Sequence, residues 1–319
     1  MRFSMQRRQF LVSTASALVL GPSVWGADAQ SKPPPARGLL LGFGTYGMQA
    51  LKTEKALAVL DRIGFDAVEL ACMSGWDADS VGLSQARRRS LRKLLGDTRL
   101  ELTAITEGLR IDGDATRRAQ RLERIKLAAQ LAHDLMPDRP PLLQTVLGGG
   151  DAWEEMKPIF ADELRDWIRW ADALELTIAI KPHRGGAMSR PSQAVELITA
   201  LGTPPRLKIC YDYSHYDLRD MTLEGTIRTA LAFTGHVAVK DVVKDGDGTR
   251  FVLPGEGGRI DYSTLLRLFY AGGYRGDISC EVSSQVWRQP GYEPVAAAKT
   301  CYKNMAAAFV KSGVPRKGS

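Results

Sequence analysis

Cysteine is scarce in this sequence, with four thiols in 319 residues. Cys72, Cys210, Cys280 and Cys301 do not have the spacing of a zinc knuckle, and their positions do not define a disulfide pairing. Cys210 and Cys280 lie inside apolar, strand-like segments, where a thiol usually serves as a small core residue. The sequence therefore gives no sign of a metal site built from cysteines.

The sequence also lacks a long hydrophobic run and a basic surface with interleaved aromatic residues. The uncharged segment 11–25 is too short and too rich in serine, threonine and alanine for a good membrane span. The basic run 87–89, with Arg92 and Lys93, contains no aromatic residue and predicts a solvated helix face. The net charge of +7 is mild. We expect neither a stable membrane anchor nor a nucleic-acid partner.

The first residues have the pattern of an export signal. The pair Arg7-Arg8 precedes the uncharged segment 11–25 and resembles a twin-arginine motif, and residues 27–29 form a small-x-small cleavage site. We therefore expect a twin-arginine-type signal peptide over residues 1–29, followed by a proline-rich lead-in over residues 30–37. This predicts a periplasmic or secreted protein, with the twin-arginine export machinery as a partner.

From Gly38 to the end, short apolar strands alternate with amphipathic helices. Repeated strand–helix units predict a parallel sheet, and eight of them in one domain over residues 38–319 favour an α/β fold, the closed (β/α)₈ TIM barrel. An open doubly wound sheet is the alternative, but no glycine fingerprint for a dinucleotide follows any strand. The predicted strands lie at 39–44, 66–71, 100–106, 142–147, 176–180, 207–211, 236–240 and 277–282. The main predicted helices lie near 53–63, 80–95, 115–135, 153–174, from Pro191 onward, and 295–311.

Polar side chains follow the apolar strands at their C-terminal ends, which is where TIM barrels place their active sites. The clearest case is the segment 176–186, LTIAIKPHRGG, in which a buried strand runs into Lys181, His183 and Arg184. Charges at the end of a buried strand need a partner, because burying them unpaired costs several kcal/mol. Either a structural salt bridge or an active-site rim would explain them. The polar strand ends are Glu69, Glu107, Gln144, Lys181, His183, Asp212, His215, Lys240, Asp241 and Glu281.

The order of these motifs resembles the xylose isomerase-like TIM barrel superfamily, which includes the sugar phosphate isomerase/epimerase family. The motifs are Glu69 in FDAVEL, His183 in IKPH, Tyr-Asp-x-x-His at 211–215, His-x-x-x-Lys-Asp at 236–241 and Glu281 in ISCEV. The resemblance covers the chain from Gly38 onward. It implies an isomerase or epimerase that removes a proton next to a sugar carbonyl or hydroxyl group.

The resemblance also implies a divalent metal (Mn, Mg or Zn) held by four side chains, of which this sequence keeps two. Asp212 and Glu281 match the ligands from strands six and eight, whereas Lys181 stands in place of a glutamate and Ala238 in place of a histidine. An ammonium group cannot coordinate a metal and repels it. We therefore expect no metal, with Lys181 in its electrostatic role. The alternative is a relocated metal held by Asp212, Glu281 and His236. Twin-arginine export often carries folded proteins that hold a cofactor, so this export route would favour a retained metal.

The same residues suggest catalytic and binding roles. Glu281 is the expected base, and Glu69 or Asp212 would supply the second proton transfer. Lys181 would act as an electrophile, or as a Schiff-base nucleophile if burial lowers its pKa. A static ion pair between Lys181 and Asp212 is the simpler alternative. The expected substrate-binding residues are His183, His215, Lys240, Gln144 and the loop residues Trp287 and Arg288.

These observations predict an exported sugar isomerase or epimerase that abstracts a proton next to a carbonyl of a sugar or sugar derivative. Two alternatives remain: a barrel that has lost catalysis with its metal and only binds carbohydrate, and a sugar lyase with a relocated metal. A nuclease of the endonuclease IV type is excluded because its cluster of metal-binding histidines and acids is absent. The expected partner in each remaining case is a small-molecule carbohydrate. The sequence does not predict the oligomeric state.

Overall fold

The computed structural model describes residues 38–150 and 152–317, and the predicted signal peptide and lead-in, residues 1–37, lie outside them. Eight parallel strands form a closed barrel in which the first strand pairs with the last. The predicted (β/α)₈ TIM barrel is therefore confirmed. The barrel strands are β1 (Leu40–Gly44), β2 (Ala67–Ala71), β3 (Glu101–Thr106), β4 (Leu142–Thr145), β5 (Ile178–Ile180), β6 (Leu207–Tyr211), β7 (Thr234–Val239) and, after a hairpin, β10 (Asp277–Cys280).

Helices follow the strands, and several of them begin at a residue that caps the helix or favours its first turn. The Asp114 side chain, for example, accepts a 2.8 Å hydrogen bond from the backbone N–H of Arg117, and Pro191 occupies the first turn of its helix, where its missing N–H costs nothing. No helix in the described part of the chain is long and apolar enough to cross a membrane. The helices are α1 (Thr53–Ile63), α2 (Gln85–Asp97), α3 (Ala115–Leu135), α4 (Trp153–Ala173), α5 (Pro191–Ala200), α6 (Leu223–Ala230), α7 (Tyr262–Ala271), α8 (Ser284–Trp287) and α9 (Pro294–Ser312).

The main core lies between the barrel and its helices, where large side chains such as Trp167, Phe160 and Phe269 are fully buried. A separate, small cluster joins Ala179, Cys210 and Ala238. Because side chains alternate along a strand, these three share a face with Lys181, Asp212 and Lys240, two residues further on in each strand. TIM barrels usually fill their interior with bulky branched residues. The small residues here leave room for polar side chains inside the barrel.

The structure contains elements that the sequence-based prediction did not place, among them the short helix α8 and a hairpin after β7. A two-stranded antiparallel hairpin, β8 (Asp241–Asp245) and β9 (Gly248–Val252), extends β7 beyond the barrel before α7 begins. The sequence analysis placed no strands there. The tip of the hairpin is exposed and charged, so its sequence lacks the apolar run that marks the barrel strands.

Candidate active site

Four charged side chains at the C-terminal ends of β5, β6, β7 and β10 form a closed ring of alternating sign. Lys181 donates to Glu281, and Lys240 donates to Asp212. Two further ion pairs complete the ring. Lys240 Nζ lies 2.8 Å from Glu281 Oε1, and Lys181 Nζ lies 4.0 Å from Asp212 Oδ2. The two lysines are only 3% and 2% exposed and Asp212 is fully buried. Each buried charge therefore faces two charges of opposite sign.

The pKa values of Lys181, Glu281 and Asp212 keep these three members of the ring ionised. Burial lowers the pKa of Lys181, but Glu281 and the other nearby negative charges outweigh this effect and hold that pKa well above its ordinary value. Burial raises the pKa of Glu281 and of Asp212, and the two lysines more than offset it, so both carboxyl pKa values are lowered. The suggested Schiff-base role of Lys181 required a lowered pKa. The raised pKa does not meet that condition, because the ion pairs dominate over desolvation.

Glu69, at the end of β2, belongs to a second polar cluster that runs into the barrel. Its carboxylate accepts from Thr106, from Gln144 Nε2 at 3.0 Å and from His236 Nε2 at 2.8 Å. On the opposite side of the imidazole, His236 Nδ1 lies 3.1 Å from Asp277 Oδ1. Burial lowers the pKa of His236, but the two carboxylates outweigh it and raise that pKa well above its ordinary value. The imidazole is therefore a cation that donates from both nitrogens.

His183 and His215, in contrast, are neutral. Burial, reinforced by Lys240 and Lys181, lowers the pKa of His183 to about 4 and the pKa of His215 well below its ordinary value. The two rings pack with their centroids 4.1 Å apart. His183 Nδ1 accepts from the Gly185 N–H at 3.1 Å, so its proton lies on Nε2. His183 thus offers a neutral N–H donor.

Arg184, the third charged residue after β5, has a different role. Its guanidinium donates to the backbone oxygens of Ser214 and Asp217, both at 2.7 Å. These bonds join the loop after β5 to the loop after β6. Arg184 therefore links these two loops at the C-terminal end of the barrel.

A cavity of about 160 Å³ opens among these strand ends. Five of the predicted site residues line it: Glu69, Gln144, Lys181, His183 and Glu281. The remaining lining residues are Tyr46, Met73, Thr106, Glu107, Gly108, Arg110, Thr145 and Val146.

The other predicted site residues lie away from the cavity wall. Asp212, His215 and Lys240 lie behind Lys181 and Glu281, with His215 Nε2 3.2 Å from Lys240 Nζ. Trp287 packs edge-on against Tyr46, with the ring centroids 5.7 Å apart, and Arg288 lies over the Trp287 ring. In this structure these residues support the site without lining it.

Sequence reasoning did not assign Tyr46, Thr106 or Arg110 to the site. Tyr46 follows β1 in a short 3₁₀ helix, and Thr106 is the last residue of β3, so the rule that strand ends form the site would have found both. Arg110 lies four residues beyond β3, where no sequence pattern marked it. Glu107, which was recognised as a strand end, pairs with Arg124 of α3 at 2.7 Å.

The donor set does not fit the metal site of the family that the sequence resembles. Among the described residues, no group of three or more histidine, cysteine, aspartate or glutamate side chains is arranged to hold a metal ion. Lys181 contacts Glu281 where a metal would need that carboxylate. His236 is already engaged by Glu69 and Asp277, and Ala238 offers no donor atom.

Comparison with known proteins gives both a family and structural relatives. The family model described as xylose isomerase-like TIM barrel matches residues 57–303. A mouse protein named "Putative hydroxypyruvate isomerase" is 33% identical over 94 residues, covering 30% of this chain and 31% of the mouse protein. The match thus spans less than a third of that relative's length.

Solved structures share the fold over most of the chain. The IOLI protein with a bound zinc atom superposes with a TM-score of 0.71 at 16% identity, covering 86% of this chain and 99% of its own. L-ribulose 3-epimerase superposes with a TM-score of 0.66 at 20% identity, covering 86% of this chain and 96% of its own. At such identities the likeness concerns the fold alone.

Proposed function

The chain belongs to the xylose isomerase-like TIM barrel family, and we propose that it is an isomerase or epimerase that moves a proton next to the carbonyl group of a small sugar or sugar derivative. The observation that supports this most directly is the contact between Glu281 and Lys181 on the wall of one cavity. Proton abstraction next to a carbonyl needs a base and an electrophile close together. The mouse relative's name and the fold shared with an epimerase agree with this chemistry.

In the proposed reaction, the substrate carbonyl oxygen takes hydrogen bonds from Lys181 Nζ and His183 Nε2. Glu281 removes the proton from the adjacent carbon, and the electron pair of the C–H bond moves through the new C=C bond onto the carbonyl oxygen. Lys181 changes its partner from Glu281 to the developing oxyanion, so Glu281 becomes a stronger base as charge leaves it. The neutral His183 is suited to this position because it donates without adding a further positive charge.

The second proton transfer completes the reaction. If the proton returns to the former carbonyl carbon and the proton of the neighbouring hydroxyl passes to the former carbonyl oxygen, the carbonyl moves and the product is an isomer. If it returns to the same carbon from the opposite face, the product is an epimer. Of the other two carboxylates on the cavity wall, Glu107 pairs with Arg124, and Glu69 would serve the opposite face. Asp212 is enclosed by Lys240 and Ser214 and would act only by positioning Lys240.

We further propose that this chemistry proceeds without a metal, with Lys181 and His183 stabilising the oxyanion. The poor fit of the donor set to a metal supports this. Elemental analysis of the purified protein should find no stoichiometric divalent metal, and the reaction should persist in excess chelator. A full equivalent of metal together with loss of activity on chelation would contradict the proposal.

The decisive test of function is solvent exchange. The protein is incubated in D₂O with a panel of ketoses and aldoses, and proton NMR follows deuterium incorporation next to the carbonyl. We expect exchange with at least one sugar, and a loss of about 10²- to 10⁴-fold in Glu281→Gln. Glu155→Gln, an exposed glutamate on α4, is the matched control and should retain the rate.

The rival is a barrel that binds carbohydrate without catalysis. The mutual pairing of the four charges in the ring favours it, because a satisfied ring can be purely structural. Binding without exchange across the whole panel would establish the rival and exclude the isomerase.

Export is a separate proposal. The pair Arg7-Arg8 and the small-x-small site at 27–29 support twin-arginine export to the periplasm or beyond. A reporter fused to residues 1–29 should be exported, and replacing both arginines by lysine should retain it in the cytoplasm. Equal export of the two fusions would contradict the twin-arginine route.

A further inference from the structure

Arg110 lies in the cavity wall and has no ion-pair partner in the part of the chain that the structure describes. Among the described residues no carboxylate lies within ion-pair distance of its guanidinium, which is exposed at the cavity. A cation without a counter-ion beside a pocket is suited to an anionic ligand group. The other charged side chains of the cavity wall are all paired: Glu69 with His236, Glu107 with Arg124, and Glu281 with Lys181.

The backbone around Arg110 is fixed on both sides. The N–H of Leu109 donates to Thr145 Oγ at 3.1 Å, and the N–H of Ile111 donates to the Leu147 oxygen at 2.8 Å. The aliphatic part of Arg110 lies over Gly148, where an added Cβ would come within 3.2 Å of the Arg110 Cβ. The glycine therefore lets the arginine stem lie across the loop that follows β4. Such anchoring reduces the conformational freedom that a ligand would otherwise have to restrict.

Gln144 provides a second unsatisfied group on the same wall. Its side chain is 4% exposed, and Nε2 donates to Glu69 Oε1 at 3.0 Å and to Thr106 Oγ at 2.9 Å. Because an ionised carboxylate only accepts hydrogen bonds, this contact fixes the amide orientation. The other amide atom, Oε1, is buried and has no partner among the described residues. A ligand hydroxyl would satisfy it, since unpaired buried acceptors are costly.

We infer that the cavity takes a small α-hydroxy carbonyl acid, with its carboxylate at Arg110 and its hydroxyl donating to Gln144 Oε1. The reacting carbonyl would then lie beside Lys181 and His183. This deepens the proposed function, on which it rests for the role of the carbonyl, whereas the anion and hydroxyl contacts are testable by binding alone.

Three matched compounds separate the contacts in binding measurements. Hydroxypyruvate carries the ketone, hydroxyl and carboxylate; pyruvate lacks the hydroxyl, and dihydroxyacetone replaces the carboxylate by a hydroxymethyl group. Longer 2-keto sugar acids and their parent ketoses extend the panel to six carbons. Isothermal titration calorimetry with the full chain measures each dissociation constant. In at least one matched pair we expect the acid to bind at least about tenfold tighter than its neutral partner. A difference of this size is roughly the effect of one charge-assisted hydrogen bond.

Variants assign the preference to residues. Arg110→Gln should abolish the preference for the acid, Arg110→Lys should keep most of it, and Arg89→Gln, an exposed arginine on α2, should leave it unchanged. Gln144→Met should equalise hydroxypyruvate and pyruvate while leaving the acid preference in place. Thermal melting of each variant checks that it is folded.

The inference is overturned if no acid of the panel binds, if acids and neutral partners bind equally, or if the preference survives in Arg110→Gln. Its failure can be told from that of the proposed function. Binding of an acid that depends on Arg110 without deuterium exchange would refute the isomerase and support this site. Exchange of neutral sugars at a rate unaffected by Arg110→Gln would support the isomerase and refute the site at Arg110.

Discussion

His236 of β7 reaches across the inside of the barrel to Glu69 of β2, with its Nε2 atom 2.8 Å from the Oε2 atom of the carboxylate. Two strands of the closed barrel, β10 and β1, lie between them. The contact is possible because the interior is lined by small residues such as Ala238 and Ala179. It connects the wall of the candidate active site with Asp277 at the opposite end of the barrel.

We predict that His236 is charged at and above neutral pH, since Asp277 and Glu69 raise its pKa. Long-range proton–nitrogen NMR should show an imidazolium for His236 at about pH 8, where a free histidine is neutral. Because folding raises the pKa of His236, its contribution to stability is fully present at pH values below the ordinary histidine pKa. This contribution is lost as pH rises through the pKa of His236 in the folded state. A neutral His236 ring at pH 7 would contradict the two-carboxylate arrangement. His133, on α3, is the internal reference.

His183 should have the opposite pH dependence. Its pKa is lowered to about 4, so the unfolded chain binds a proton more readily, and the fold loses stability as pH falls from the ordinary histidine value toward 4. Between pH 7 and pH 5 the wild type should lose about 2 kcal/mol more unfolding free energy than His183→Gln. Urea denaturation at the two pH values measures this difference. His133→Gln is the control, and an unchanged pH slope in His183→Gln would disprove the assignment.

Removing one lysine of the buried ring should be strongly destabilising. Lys240→Met leaves Asp212 and Glu281 with Lys181 as the one remaining cation of the ring and should cost about 3–5 kcal/mol of unfolding free energy. The matched control is Lys93→Met, which removes an exposed, solvent-screened pair with Asp97 and should leave stability nearly unchanged. Urea denaturation gives both values. Similar small losses in the two variants would mean that the ring does not stabilise the fold.

Lys181 should determine the pH profile of the proposed reaction. Without its ammonium group the lowered pKa of Glu281 should rise, because the largest favourable charge interaction of that carboxylate is gone. The deuterium-exchange rate of Lys181→Met should therefore be lower than that of the wild type and should increase between about pH 5 and about pH 7. Lys181→Arg keeps the charge and should keep the wild-type profile shape. Identical profiles in all three proteins would exclude Lys181 as the partner of the base.

Much of the site could be located from the sequence because a TIM barrel brings its strand ends together whatever the intervening helices are. Glu69, Gln144, Lys181, His183 and Glu281 each follow an apolar strand, and all five line the cavity. The loss of two metal ligands was also visible, since Lys181 and Ala238 stand at recognisable positions in otherwise matching motifs. Strand periodicity places His236 on the same face as Lys240 and deeper in the barrel.

The pairing among these charges could not be read from the chain. Strand order places Lys181 beside Asp212, yet the hydrogen bond from Lys181 goes to Glu281, three strands away around the barrel. The sign of the Lys181 pKa shift, on which the suggested Schiff-base role depends, is likewise set by how many carboxylates lie within a few ångströms. The hairpin formed by β8 and β9 and the anchoring of Arg110 over Gly148 also depend on contacts between separate loops.

The sequence by itself determined the barrel, the end of the barrel at which the site lies, and the replacement of metal ligands by Lys181 and Ala238, since these follow from local periodicity and residue identity. Tertiary structure decided which carboxylate meets which lysine, and that His236 is a cation while His183 is neutral. It also decided that Arg110 and the Gln144 oxygen find no partner within residues 38–150 and 152–317. Pair energies and pKa shifts vary steeply with distance and burial, and side chains far apart in sequence acquire both only when the barrel closes.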